Sequence, residues 1–242
     1  MSDFIDPMTR IRLEKAALDC GFELTPELKD GALVLRSAQF PGSVEVRRLN
    51  DTTFDVSSAS SQLTVSRPPG SGLQGYQGLY VALERAAATA RNLPNRVAQK
   101  FHSATATLPK TTEAERWVVQ RVGQDLFRGA LLDYWRGRCC VTGLVVPELL
   151  RASHIKPWAL CDTDEERLDV FNGLLLAPHL DALFDGGWVT FSPIGTMLVA
   201  QAMQQDAMAI LGIHAGLGIQ GLSSAHQPYL EFHRHRVWRD AA

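Results

Sequence analysis

No stretch of the 242-residue chain approaches the ~20 consecutive apolar residues that a membrane-spanning helix needs. A helical membrane protein is therefore excluded, and no membrane partner is expected. The opening residues, Met1-Ser2-Asp3-Phe4-Ile5-Asp6, lack the basic and apolar regions of an export signal, so the expected location is cytoplasmic. Cysteine is scarce: Cys20, Cys139, Cys140 and Cys161. Two of the four are adjacent, which does not suit a disulfide framework, and reduced thiols are expected. Thr142, not cysteine, stands three positions after Cys139, and no second pair appears before Asp181, so no structural zinc is expected. Strong charge is also missing. The net charge of −2 excludes a protein that coats nucleic acid indiscriminately but permits a small cationic groove. No internal repeat or low-complexity tract is present.

Hydrophobic residues make up 45% and charged residues 21%, as in an ordinary globular protein. Residues 9–20 read as an amphipathic helix stopped by Gly21. Strands are expected over 32–36, 43–49 and 52–56, with a fourth over 62–66. Arg67-Pro68-Pro69-Gly70-Ser71-Gly72 is a breaker, and an alanine-rich helix should follow over 76–92. No chemical motif stands in this part, which reads as a small α+β domain over residues 1–105 with a recognition or scaffold role. Residues 95–112, rich in Ser, Thr and Ala, read as a linker.

A second domain is expected over 106–242. Thr112 and Glu115 have the spacing of a capping box. A long helix should start there, with Trp117, Val118, Val122, Leu126, Phe127, Ala130, Leu131 and Tyr134 at helical spacing and Gly137 at its end. Residues 138–143 read as a short strand into a turn, and 149–155 as a strand that delivers His154. An acidic loop follows over 162–169. An apolar run over 173–176 then leads into a helix opened by Pro178 and carrying Asp181 and Asp185.

This order suits metal-assisted phosphodiester cleavage. A neutral imidazole such as His154 takes a proton from water near neutral pH. Asp181 and Asp185, four apart, share one helix face, and two like charges so placed favour a cation between them. Oxygen ligands suit Mg²⁺ or a similar hard ion. Basic residues concentrate nearby, with eight Lys/Arg against five Asp/Glu over 110–160, and Arg234, Arg236 and Arg239 near the end of the chain.

The runs Arg121-Val122-Gly123-Gln124-Asp125-Leu126-Phe127-Arg128, Cys139-Cys140-Val141-Thr142-Gly143, Leu149-Leu150-Arg151-Ala152-Ser153-His154-Ile155-Lys156-Pro157-Trp158, Arg167-Leu168-Asp169 and Tyr229-Leu230-Glu231-Phe232-His233-Arg234 resemble a bacterial branch of the HNH endonuclease family linked to restriction. The resemblance covers about residues 112–238. It implies a ββα-metal fold with flanking helices, hence an α+β protein overall. It also implies His154 as general base and Asn172 as the residue that ties the intervening loop. Asp181, nine positions after Asn172, would be a metal ligand where the family's namesake has histidine. Asp185, four further on, would be a second. Ser153 stands where many members place another ligand, and His179 restores the letter H at an offset of seven. Both are secondary candidates for metal or phosphate contact.

Nucleic-acid contacts are expected from Arg128, Arg151, Lys156, His233 and Arg234. The implied activity is hydrolysis of DNA, duplex in the first instance, with a divalent cation: Mg²⁺, or Mn²⁺, Ni²⁺ or Zn²⁺. A homodimer would supply two cuts. Two alternatives stay open: a catalytically silent HNH scaffold that binds nucleic acid, and an RNA-directed or toxin-like nuclease.

Overall fold

The computed structural model describes residues 5–59, 72–109, 111–214 and 216–241. It divides into two units between Arg91 and Asn92.

In the first unit, Asp6 caps helix α1 (Pro7–Asp19) by accepting the Thr9 N–H at 3.0 Å, and Pro7 occupies its first turn. A side-chain acceptor there satisfies an N–H that has no partner within the helix. Strands β1 (Glu27–Lys29), β2 (Ala32–Arg36), β3 (Ser43–Arg48), β4 (Thr53–Ser57) and β5 (Leu73–Gln74) form one antiparallel sheet in chain order. Asp30 and Gly31, both with positive φ, make the tight turn between β1 and β2. Alternation sets the faces. Val44 and Val46 of β3 are buried, while Glu45 and Arg47 between and beyond them are exposed. Helix α2 (Gly75–Arg91) covers the apolar face with Leu79, Leu83 and a run of alanines. The strand expected over 62–66 lies outside the described residues.

The second unit begins earlier than the expected boundary at 105/106. Helix α3 (Pro94–Thr105) occupies most of the expected linker. Its Val97, Ala98 and Phe101 are buried in the core of the second unit together with Phe127. The Ser/Thr/Ala-rich run that follows these three hides the stripe in the sequence, and burial of the stripe overrides composition. Helix α4 (Glu113–Tyr134) starts in the expected capping box at Thr112. It ends through Arg136 and Gly137, both at positive φ, with the Gly137 N–H donating to the Leu132 carbonyl.

Residues 138–143 form turns rather than the expected strand. The Cys139 N–H and Cys140 N–H donate to Leu144 and Leu175, and the Cys139 sulfur accepts the N–H groups of Thr142 and Ala177. The segment is thus pinned without a ladder of its own.

Strand β6 (Arg151–His154), helix α5 (Asp164–Arg167), strand β7 (Gly173–Leu176) and helix α6 (Pro178–Asp185) follow. Strands β6 and β7 pair antiparallel, with Ser153 opposite Leu174 and His154 opposite Gly173. This is the expected strand, strand, helix unit. Every residue of β7 is buried. A hairpin of β8 (Val189–Phe191) and β9 (Met197–Val199), then α7 (Gln205–Ile210) and α8 (Gln227–Arg236), complete the unit. The whole is α+β. None of the described helices is long and apolar enough to cross a membrane.

Gly173 permits a close approach of helix and strand in this core. A Cβ there would lie 2.6 Å from Phe127 Cζ and 2.8 Å from Leu131. Only a residue without Cβ lets α4 lie so close to β7. Gly173→Ala is expected to destabilise the second unit by about 1–3 kcal/mol, the usual result of overfilling a packed core. Chemical unfolding of the variant beside the parent checks this. An equal midpoint would mean that the helix yields freely.

Candidate active site

Strand β6 sends neighbouring side chains to different helices. Ser153 turns to α6, where its hydroxyl donates to Asp185 Oδ1 at 3.2 Å. His154 turns to α4, where its ring stacks on Phe127 with centroids 3.9 Å apart and planes 15° from parallel. Trp158 meets the same ring edge-on at 5.5 Å. The His154 Nε2 lies 2.8 Å from the Arg167 carbonyl oxygen. A carbonyl only accepts, so Nε2 carries the proton and Nδ1 keeps its lone pair. Burial pushes the His154 pKa down to about 4, against a smaller upward pull from that carbonyl. The ring is neutral at physiological pH.

The loop behind His154 is held from inside. Asn172 is fully buried. Its Oδ1 accepts the Lys156 N–H at 2.7 Å, and its Nδ2 donates to the carbonyls of Lys156 and Glu166, both at 3.2 Å. A fourth contact reaches the Cys161 sulfur at 3.4 Å. Asn172 therefore sits beneath the loop rather than in the cleft, as a tying residue would.

Asp169 caps the 3-10 turn Val170–Asn172 through the Phe171 N–H and accepts the Tyr229 hydroxyl from α8 at 2.8 Å. Burial raises its pKa to about 6. Neither Asp169 nor Tyr229 nor Arg167 was expected at the site. Their signal was membership of the runs that carry the resemblance.

A cleft of about 470 Å³ opens beside His154 and is lined also by Arg151, Ser153, Trp158, Asp181 and Asp185. Loss of hydration raises the pKa of both aspartates, and the charge of Asp181 raises that of Asp185 further. The Ser153 hydroxyl opposes the rise at both, and the Arg151 charge opposes it at Asp181. His179 does not line this cleft. It stands two residues before Asp181, about 200° around the helix, so it does not join the aspartates as a ligand candidate. Among the described residues no group of three or more His, Cys, Asp or Glu could hold a metal ion.

Four of the five side chains expected to meet nucleic acid are engaged by the protein. Arg128 donates to the carbonyls of Leu150 at 2.6 Å and Pro147 at 2.7 Å, and so braces the entry to β6. The Lys156 ammonium lies 2.7 Å from Glu166, whose hydrogen bond raises its pKa. Arg234 donates to the Phe191 carbonyl at 2.9 Å. His233 also lines the cleft, but its side chain is held by the protein. The residue is buried, its ring stacks on Phe184 at 3.8 Å, and its nitrogens meet the Thr190 hydroxyl and the Phe184 carbonyl. Among the described residues, Arg151 is the exception: exposed, on the cleft, and without a hydrogen bond or ion pair.

Burial lowers the His233 pKa from 6.5 to about 4. Between those values the unfolded chain binds more protons than the folded one. The stability that follows is complete above pH 6.5 and is lost as pH falls towards 4, to a limit of about 3 kcal/mol for this group. His233→Gln is expected to flatten the acid limb of stability against pH, measured by urea unfolding at a series of pH values. An unchanged limb would mean that His233 is not held neutral.

The HNH endonuclease family model matches residues 139–192. The match runs from the pinned turn at Cys139 through β6, β7 and α6 to the end of β8, and contains His154, Asn172, Asp181 and Asp185. No curated protein matches the chain. By this match, and by the strand, strand, helix arrangement around its cleft, the segment 139–192 is a member of the HNH endonuclease family.

Proposed function

We propose that the protein is a metal-dependent endonuclease that hydrolyses phosphodiester bonds in DNA, in restriction or another defence against foreign DNA in the cytoplasm. The observation that carries this reading is a neutral imidazole with a free Nδ1 lone pair sharing one cleft with two carboxylates. His154 takes a proton from water. The water oxygen attacks phosphorus, the bond from phosphorus to O3′ breaks, and O3′ leaves on the far side.

Asp181 and Asp185 fit a hard divalent cation. Both carboxyls are drawn towards their neutral forms by lost hydration, Asp185 also by the charge of Asp181, and a cation would relieve both effects. Such an ion supplies charge stabilisation for the phosphate and the leaving oxygen. Two carboxylates suffice for Mg²⁺, which keeps several waters and takes oxygen ligands from substrate. Mn²⁺, Ni²⁺ and Zn²⁺ are alternatives. Arg151 is placed to meet a substrate phosphate. Residues 1–91 would serve recognition, and a second copy of the chain would supply the second cut of a duplex.

One observation favours a second reading, a silent scaffold that binds nucleic acid. Ser153 replaces a usual ligand, and no third acidic or histidine ligand joins the aspartates among the described residues. Cleavage assays decide between the readings. Methylated and unmethylated plasmid and a structured RNA are each offered with Mg²⁺, Mn²⁺, Ni²⁺ and Zn²⁺. The nuclease reading expects cutting of DNA, and His154→Ala is expected to lower kcat by about 10²–10⁴-fold. Full activity of that variant would reject the assignment, and binding without cutting under every metal would select the scaffold. Arg151→Ala is expected to reduce the salt slope of DNA binding by about one.

A further inference from the structure

Building on the endonuclease reading, we infer that Arg167 is the positioning residue of the general base: its side chain fixes the loop whose own carbonyl sets the orientation and tautomer of His154. That carbonyl is the protein partner of Nε2, so His154 is oriented only as well as residue 167 is placed. The guanidinium spans three points of the same loop. Nε donates to the Trp158 carbonyl at 3.3 Å, one terminal nitrogen to the Cys161 carbonyl, and the other to Asp164 Oδ1 at 3.1 Å.

The first of these contacts also fixes the main chain of Trp158, whose ring packs edge-on against His154. Arg167 therefore acts on the imidazole by two routes, a hydrogen-bond acceptor and a wall. Asn172 holds the preceding carbonyl, that of Glu166, from beneath, so residues 166 and 167 are clamped from both sides. A rigid planar fork suits this task. A lysine, one point charge on a flexible stem, does not span two carbonyls and a carboxylate together. If the Arg167 carbonyl drifts, the Nδ1–H tautomer becomes accessible, and in that form the atom that must take a proton already carries one.

The test compares the parent with Arg167→Ala and Arg167→Lys. Steady-state cleavage of plasmid DNA with Mg²⁺ or Mn²⁺ gives kcat and KM, and long-range ¹⁵N–¹H correlation spectra of the metal-free proteins give the His154 tautomer. A displaced base of this kind loses about 10²-fold in rate. The expected result is that loss in kcat with KM unchanged for Arg167→Ala, a smaller loss for Arg167→Lys, and a shift of His154 from the pure Nε2–H form to a mixture. If the alanine variant does not fold, the lysine variant carries both readouts. Retention of the pure Nε2–H form in the folded variants overturns the inference, as does a rise in KM at unchanged kcat, which would place Arg167 on the substrate. If the parent cuts nothing under any metal, the endonuclease reading fails, and the tautomer comparison still decides whether Arg167 holds the ring.

Discussion

One hydrogen bond, from the His154 Nε2–H to the Arg167 carbonyl, decides which nitrogen of the imidazole is available for chemistry. Much of the second unit serves to keep its two ends in place. On one side the ring is sandwiched against Phe127, which reaches it because Gly173 leaves room for α4 beside β7. On the other side the carbonyl belongs to a loop tied internally by Asn172, Arg167 and the caps of short helical turns. A loop of this length would ordinarily be mobile. Here its polar groups are satisfied by buried side chains, so the acceptor has a defined position.

Burial has opposite consequences for the two kinds of titratable group in the cleft. It favours the neutral imidazole, which is the form that takes a proton. It disfavours charge on Asp181 and Asp185, which leaves them short of compensation. Carboxylates drawn from water without a full cationic partner are costly unless something positive joins them. Arg151 supplies part of that charge for Asp181. The geometry thus separates a proton acceptor from an acidic pair across a single cleft, the division of labour that hydrolysis of a phosphodiester needs.

The distribution of positive charge is less generous than the sequence suggests. Basic residues gather around the HNH segment, yet Arg128 and Arg234 brace main-chain carbonyls and Lys156 is matched to Glu166. An arginine fork that spans two carbonyls fixes geometry as well as charge. Counting basic residues cannot distinguish such a brace from a phosphate contact, because both need the same side chain.

Most of the element order, and the candidate residues of the site, were legible in the chain before folding. Capping at Thr112, alternation in β3 and Pro178 at the start of α6 are local rules, and local rules are readable in one dimension. The family runs placed His154, Asn172 and Asp181 in register, and the cleft does gather His154 with both aspartates. Packing between distant segments settled the remainder. It made Pro94–Thr105 a helix through burial of Val97 and Phe101, and denied residues 138–143 a strand by giving their N–H groups other acceptors. It buried the His233 ring at the edge of the cleft and set the Arg167 carbonyl behind His154. Each of these depends on contacts between residues far apart in the chain, and such contacts carry no local period or motif from which to read them.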